Sequence, residues 1–286
     1  MKIRVPATSA NVGCGFDSLG FAVSLYLEVT VLEESPFWQV IHDLGDSVPI
    51  DDRNLIVATA LKVAPNLEPR ILRVTNQVPL ERGLGSSSTA IVAGIQLADL
   101  LGSLQLSLAE KLALACEFEG HPDNVVPAFT GGFVVASYLE GRLSYVKMPL
   151  PDMALVAVVP HEPLSTQKMR EILPASLSHQ EAAAASAVAN AMIAHLWSGQ
   201  LKEAGQLMES DRLHEPFRSK LIPLLQDVRL AAKEAGAYAT YLSGAGSTIM
   251  ILLPKSKQEA VTAAVKQWPD TDIMSLEFDA LGCQVL

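Results

Sequence analysis

The sequence predicts an α+β fold of two domains, residues 1–150 and 151–286. Three observations point there. A length of 286 residues suits one large domain or two small ones. Pro149-Leu150-Pro151 breaks the chain between two sets of periodic segments. On both sides of that break, short alternating or β-branched runs lie between helical patterns, with no internal repeat.

Met1 to Val5 reads as a first strand, followed by a polar, glycine-rich turn from Pro6 to Gly20. Phe21 to Leu32 is a strand by its β-branched content, and Phe37 to His42 is its expected partner. Asp43 to Asp52 is a loop, and Asn54 to Val63 a helix with Ile56, Ala60 and Val63 on one face. Ile71 to Val78 alternates as a strand, and the helix after the serine run carries Ile91, Ile95 and Ala98 up to Gly102. Ser107 and Glu110 form a capping-box pattern for the next helix, and Gly120 stands at its C-terminal cap. Gly131-Gly132 opens a strand from Phe133 to Tyr138, and Leu143 to Met148 returns.

In the second half, Met153 to Val159 is a buried-type strand. Thr166, Lys168 and Arg170 fall in a loop or first helical turn, where by themselves they read as a solvated charged surface. Ser178 and Glu181 cap a long helix to about Trp197, and a shorter helix spans Leu201 to Met208. Asp211 to Arg218 is charged and interrupted at Glu215-Pro216. A helix from Leu221 to Ala235 precedes a hairpin, Tyr238 to Leu242 and Ile249 to Leu253, around the glycine turn Ser243 to Thr248. Lys257 to Trp268 is helical, and Ile273 to Phe278 is the last strand expected.

Composition narrows the function. Hydrophobic residues make up 49% and charged residues 18%, a globular balance. The formal net charge of −10 argues against a basic nucleic-acid footprint, yet leaves room for a nucleotide held by backbone donors and a metal. Cys14, Cys116 and Cys283 make no C-x-x-C spacing and read as reduced thiols. No secretory pattern and no apolar run of ~20 residues stands out, so the expectation is a cytoplasmic protein with no membrane partner.

The chemistry concentrates in one stretch: Pro79, Leu80, Glu81, Arg82, Gly83, Leu84, Gly85, Ser86, Ser87, Ser88, Thr89. A strand enters it and a helix leaves it. Unpaired N–H groups at a helix start, the positive end of the helix dipole and close-approach glycines make an anion site, most often for phosphate. The serine hydroxyls can add donors or ligate a phosphate-bound Mg²⁺. Glu117 and Glu119 sit in the last turn of the next helix, where the dipole disfavours negative charge by ~0.3–1 kcal/mol each. They are either a tolerated surface cost or a carboxylate kept for a cation. Gly120-His121-Pro122-Asp123-Asn124 follows at once, which favours the cation. There is no G-x-x-x-x-G-K-[ST], no protein-kinase motif set and no His/Cys metal spacing. The pieces fit phosphoryl transfer, which needs positioning and charge neutralisation more than covalent chemistry.

Three motifs in order, Pro6 to Gly20, Pro79 to Ala90 and Ser243 to Thr248, give the sequence its resemblance to the GHMP kinases. Within that family it looks most like the branch that phosphorylates homoserine, through Pro6 to Asn11 with Gly15-Phe16-Asp17, Gly120 to Val125, Thr166 with Arg170, and Glu215-Pro216 with Arg218. The resemblance implies a domain like ribosomal protein S5 domain 2 followed by a ferredoxin-like domain, with ATP between them. It implies transfer of the γ-phosphate of ATP, with Mg²⁺, to the side-chain hydroxyl of L-homoserine in threonine biosynthesis, and a homodimer. Asn11 and Asp17 would hold the ammonium, and Arg170 and Arg218 the carboxylate, for which an arginine fork is well shaped. Asn124 would orient the hydroxyl with Asp123 and His121 nearby, and Thr166 would contact substrate or phosphate. Ser87 or Ser86, with Glu119, would ligate the metal, and backbone N–H groups from Gly83 to Ser88 would cradle the phosphates. Asp123 is the candidate base by position, and a base-free route stays equally open. The sequence departs from the family pattern at Cys14, where proline is usual, and at Ser88-Thr89, which replace alanines. Alternatives are another small-molecule GHMP kinase and a non-catalytic nucleotide sensor.

Overall fold

The computed structural model describes residues 1–286, with the side chain of Thr166 left out. A seven-stranded sheet organises the first half. Its central strand is β2 (Leu19–Glu34), sixteen residues long. β1 (Lys2–Ala10) runs antiparallel along one edge of β2 from Lys2↔Thr30 to Ala10↔Gly20. β4 (Arg70–Asn76) pairs with the far half of the other edge, and β5 (Phe133–Leu139) with the near half. β3 (Gln39–Ile41) adds parallel to β4, and β6 (Arg142–Met148) closes a hairpin with β5. The partner expected for the second strand is therefore wrong. β2 already has both edges filled, so Gln39–Ile41 can only extend the sheet beyond β4.

Four helices cover this sheet: α1 (Leu55–Val63), α2 (Ser86–Gly102), α3 (Leu108–Glu119) and α4 (Pro122–Thr130). Val5, Val29, Leu72 and Val74 from the strands pack with Val57, Ala60, Val92, Ile95 and Val126 from the helices. Asn54 caps α1 by accepting from the Ile56 N–H at 3.1 Å. The capping box of α3 forms as expected, with Ser107 and Glu110 bonded reciprocally and Gly120 in the left-handed cap at φ 87°. α4 falls where the sequence suggested only a polar connection. Pro122 suits its first position, and Asp123 complements the dipole of its first turn.

The second sheet is antiparallel in the order β10-β7-β9-β8, from β7 (Ala154–Pro160), β8 (Ala239–Leu242), β9 (Ile249–Leu253) and β10 (Thr271–Leu276). Its helices are α5 (Thr166–Glu171), α6 (His179–Trp197), α7 (Leu201–Met208), α8 (Glu215–Arg218), α9 (Leu224–Glu234) and α10 (Gln258–Val265). β7 shows the period of two at work. Val156 and Val158 pack with Leu225, Val228 and Val261. Leu155, Ala157 and Val159 face a different cluster containing Met192 and Tyr241. That cluster also takes Ala7, Val12, Phe21 and Leu84 from the first half, so one apolar core crosses between the two sheets.

The chain finally leaves the second sheet and returns to the first as β11 (Gln284–Val285), antiparallel to β1. This return was not expected, and it places the last residues with the 1–150 portion. Among the described residues, no helix is long and apolar enough to cross a membrane.

Candidate active site

Three loops meet where the sheets adjoin. The first is the turn after β1. Asn11, Val12 and Asp17 hold positive φ values of 69°, 46° and 52°, a conformation that Asn and Asp tolerate best and a β-branched residue poorly. The turn is held by its own bonds: Asn11 Oδ1 accepts from the Asp17 N–H at 3.0 Å, and Asn11 Nδ2 donates to the Gly244 carbonyl at 2.9 Å. The second is the loop before α2. Gly83 has φ 76°, and a Cβ there would lie 2.2 Å from the Ser243 carbonyl oxygen. Gly85 caps α2 at φ 70°, with its α-carbon tight against Thr8. The third is the turn Ser243 to Thr248, whose Thr248 N–H donates to the Arg82 carbonyl at 2.9 Å. Ser243 Oγ donates to the Gly83 carbonyl at 2.7 Å, and Ser9 Oγ bonds Ser243 Oγ and Tyr241 Oη at 2.8 Å each.

These loops surround a cavity of about 430 Å³. Its lining brings together Asn11 and Asp17, the stretch with Glu119, His121, Asp123 and Asn124, Arg170, and Arg218 from four separated regions, with Gly83, Gly85, Ser86, Ser87 and Ser88 along one side. Burial raises the Glu119 carboxyl above its usual range, with the nearby Asp123 charge adding to it, and Ser88 Oγ donates to its Oε1 at 2.8 Å. His121 Nδ1 lies 2.6 Å from Asp123 Oδ1. Burial alone would depress the imidazole. The bond to Asp123 and the charges of Asp123, Asp17 and Glu119 outweigh it and hold His121 above its ordinary value. Thr8 Oγ1 bonds Asn124 Oδ1 at 2.8 Å, which leaves the amide nitrogen free for the cavity. Arg170 is exposed and reaches Asp17 Oδ1 at 3.3 Å. Arg218 is buried, and burial followed by the Arg170 charge brings its guanidinium down to about 10.

The donor set suits a hard divalent cation, which takes oxygen ligands. Ser87 was expected to share such a cation with Glu119. It also lines the cavity, but it is exposed; one residue on, buried Ser88 points back to α3 and bonds Glu119. Four residues expected to touch nucleotide, Pro79, Arg82, Leu84 and Thr89, do not line the main cavity. Pro79 and Arg82 line a separate surface hollow with Pro160 and His161, and Arg82 is spent on the carbonyls of Leu80, Pro160 and His161. Leu84 is fully buried in the shared core, and Thr89 turns back to the Ser86 carbonyl at 2.8 Å. Thr166 begins α5, and its side chain lies outside the described residues.

A second cavity of about 440 Å³ adjoins the first. It shares Leu55, Glu81, Ser86 and Ser87 and continues over Leu44, Val48, Pro49, Asn54, Ile56, Val74, Leu80 and Ala90. Sequence reasoning passed over its 44–56 side, reading a loop and a helix start. The cluster Val48-Pro49-Ile50 in an otherwise polar loop was the available signal.

The GHMP kinases N terminal domain matches residues 54–132, and the GHMP kinases C terminal domain matches residues 182–270. A homoserine kinase from Enterococcus faecalis is 49% identical over 286 residues, covering 100% of both chains. One from Streptococcus equi subsp. zooepidemicus is 51% identical over 283 residues, covering 99% of each. A homoserine kinase structure from Cytophaga hutchinsonii superposes with a TM-score of 0.88 at 29% identity, over 100% of this chain and 97% of that one. A mevalonate kinase structure from L. major shares the fold at a TM-score of 0.74 and 17% identity, over 99% and 97%. Matched in both halves and along its full length, the chain belongs to the GHMP kinase family.

Proposed function

We propose that the protein transfers the γ-phosphoryl group of ATP to the side-chain hydroxyl of L-homoserine. The observation that carries this reading is the composition of the main cavity. One end is a helix N-terminus with glycines and serines, suited to phosphate. The other end sets the carboxylate of Asp17 beside the guanidinium groups of Arg170 and Arg218. An α-amino acid carries an ammonium and a carboxylate, and this arrangement matches both, whereas a sugar offers a charge to neither the aspartate nor the arginines. The homoserine kinases at about half identity support the same substrate.

Each group then has a task. Asp17 receives the ammonium, with Asn11 shaping the turn that presents it. Arg218 and Arg170 take the carboxylate. Asn124, its oxygen engaged by Thr8, offers an N–H to the acceptor hydroxyl or the transferred phosphoryl. The N-terminal turn of α2 holds the phosphates, and the adjoining apolar cavity from Leu44 to Ala90 accepts the purine. Glu119 and Ser88 would hold Mg²⁺, which when bound neutralises charge on the phosphates. Asp123 bonds His121, and in this reading positioning and charge neutralisation carry the transfer, with Asp123 as the alternative base.

A coupled assay of ADP release over homoserine, mevalonate, galactose and shikimate tests this. Homoserine is expected to stimulate release well above the others. Stimulation by another acceptor and none by homoserine would overturn the substrate assignment.

A further inference from the structure

Arg218 is the largest fully buried side chain of the protein, and its surroundings are built rather than incidental. Its Nε donates to the Met169 carbonyl at 3.1 Å, and one terminal nitrogen donates to the Gly244 carbonyl at 3.0 Å. That same nitrogen lies 3.3 Å from Nδ1 of His214, which is itself fully buried. A guanidinium offers donors only, so His214 Nδ1 must accept. The ring proton then belongs on Nε2, which donates to the Gly13 carbonyl at 2.9 Å, with Asp211 Oδ2 3.6 Å away. Asp211 in turn accepts from the N–H groups of Leu213, His214 and Glu215 at 2.9, 2.9 and 2.7 Å, which fixes the start of α8. Phe16 completes the arrangement. His214 stacks on its ring at 5.4 Å and 23°, and the Arg218 guanidinium lies 5.3 Å from the same ring centre.

Two of these partners, Gly13 and Phe16, belong to the turn that presents Asp17. The imidazole thus ties the arginine from α8 to the loop that carries the opposite charge of the substrate site. We propose that His214, as a neutral imidazole, is a positioning residue for Arg218. It aims the guanidinium at the substrate carboxylate and holds it at a set spacing from Asp17, so that the pair selects an α-amino acid. This rests on the homoserine reading above. The remaining terminal nitrogen of Arg218 has no protein partner among the described residues, and Arg218 lines the cavity, as this role requires.

The test compares His214→Leu and His214→Asn with the unaltered enzyme. Leucine fills space without an acceptor, while the amide oxygen of asparagine can stand near the place of Nδ1. Two acceptors are used: L-homoserine, and L-2-amino-1,4-butanediol, which replaces the carboxylate by a hydroxymethyl group. Homoserine turnover by the unaltered enzyme tests the substrate reading by itself; the ratios below test His214. In His214→Leu the homoserine KM is expected to rise ~10–100-fold. The ATP KM should stay within about twofold, and the kcat/KM preference for homoserine over the diol should fall by a similar ~10–100-fold. His214→Asn should recover most of that preference. Loss of activity on both acceptors in parallel, or an asparagine variant no better than leucine while still melting cooperatively, would overturn the proposal. If the leucine variant does not fold, the asparagine variant and Phe16→Leu, which removes the shared ring, are read in the same way.

Discussion

Arg170 and Arg218 carry the same charge into the same cavity, yet their burial makes them different tools. Arg170 is exposed and lies against Asp17, where screening and side-chain freedom weaken any single contact. Arg218 has given up its hydration before substrate arrives and is held by two carbonyls and an imidazole. A preorganised, desolvated donor gains more from a carboxylate than a solvated one. Arg218→Ala should therefore raise the homoserine KM at least ~100-fold and the ATP KM only slightly; the cost of losing a hydrogen-bonded buried charge is ~2–5 kcal/mol. Equal effects on both substrates would remove Arg218 from the acceptor site. Glu119 illustrates the opposite bargain between stability and function. Its carboxyl is raised in the folded protein by burial, with Asp123 adding to the effect. A raised carboxyl stabilises the fold below its unfolded value and loses that advantage as pH rises through the folded value, so at pH 7 the ionised form is a burden. Glu119→Gln keeps the acceptor for Ser88 and removes the charge. It should lower kcat/KM at least ~10-fold and, without added metal at pH 7, raise the melting temperature. The gain should vanish towards pH 4, and a variant that melts lower at pH 7 would contradict the account.

Elements explain why some of this site could be read from sequence and some could not. The capping boxes at Ser107 and Ser178 are local, so they were legible and formed as written. Ser107→Ala should cost about 1 kcal/mol and lower the melting temperature by roughly 2–4 °C. Activity should hold, because Glu119 sits at the far end of α3; a loss of kcat would show that the whole helix is poised. The motif residues Asn11, Asp17, Asn124 and Arg218 were legible through the family pattern, and all four line the cavity. What was not legible depends on phase and distance. Whether Ser87 or Ser88 faces Glu119 is decided by the rotation of α2 once Gly85 sets its start. Arg82 was drawn away by carbonyls near residue 160, which no local pattern announces. α4 was obscured by Pro127, which reads as a breaker but lies inside the helix. Gly83 is one of the tight joints between the two halves. With φ 76° and the Ser243 carbonyl oxygen 2.2 Å from where a Cβ would lie, Gly83→Ala must displace one loop. Nucleotide affinity, measured by titration, is expected to fall at least ~10-fold, and a variant binding as before would mean that the two loops move independently.

At the scale of the whole molecule, the chain crosses between its two sheets twice, and the second crossing is the less obvious. After β10, residues 277–286 are stitched back onto the first sheet. Ser24 and Glu277 exchange bonds, the Asp279 N–H donates to the Ala22 carbonyl at 2.9 Å, and the ends meet where Lys2 and Leu286 bond each other. Phe278 packs edge-on against Phe21 at 5.0 Å, inside the cluster that spans both sheets. Asp279 is buried and serves the N–H groups of Leu281 and Gly282 and the hydroxyl of Tyr26. A chain divided at residues 150/151 alone would have one covalent connection between its halves; here the returning tail adds a second. The closure predicts that the protein unfolds in a single cooperative transition even at 286 residues, a length at which separate steps are common. Ending the chain after Leu276 removes Phe278, leaves the Gly132 N–H and Lys147 without the Asp279 and Ala280 carbonyls, and bares the edge of β1. Differential scanning calorimetry of that shortened chain should show a midpoint lower by at least ~5 °C and two resolved transitions. Asp279→Ala should lie between the two, lower in midpoint but still a single peak, because the strand pairing and Phe278 remain. One unchanged transition in the shortened chain would mean that the core between the sheets, and not the returning tail, couples them.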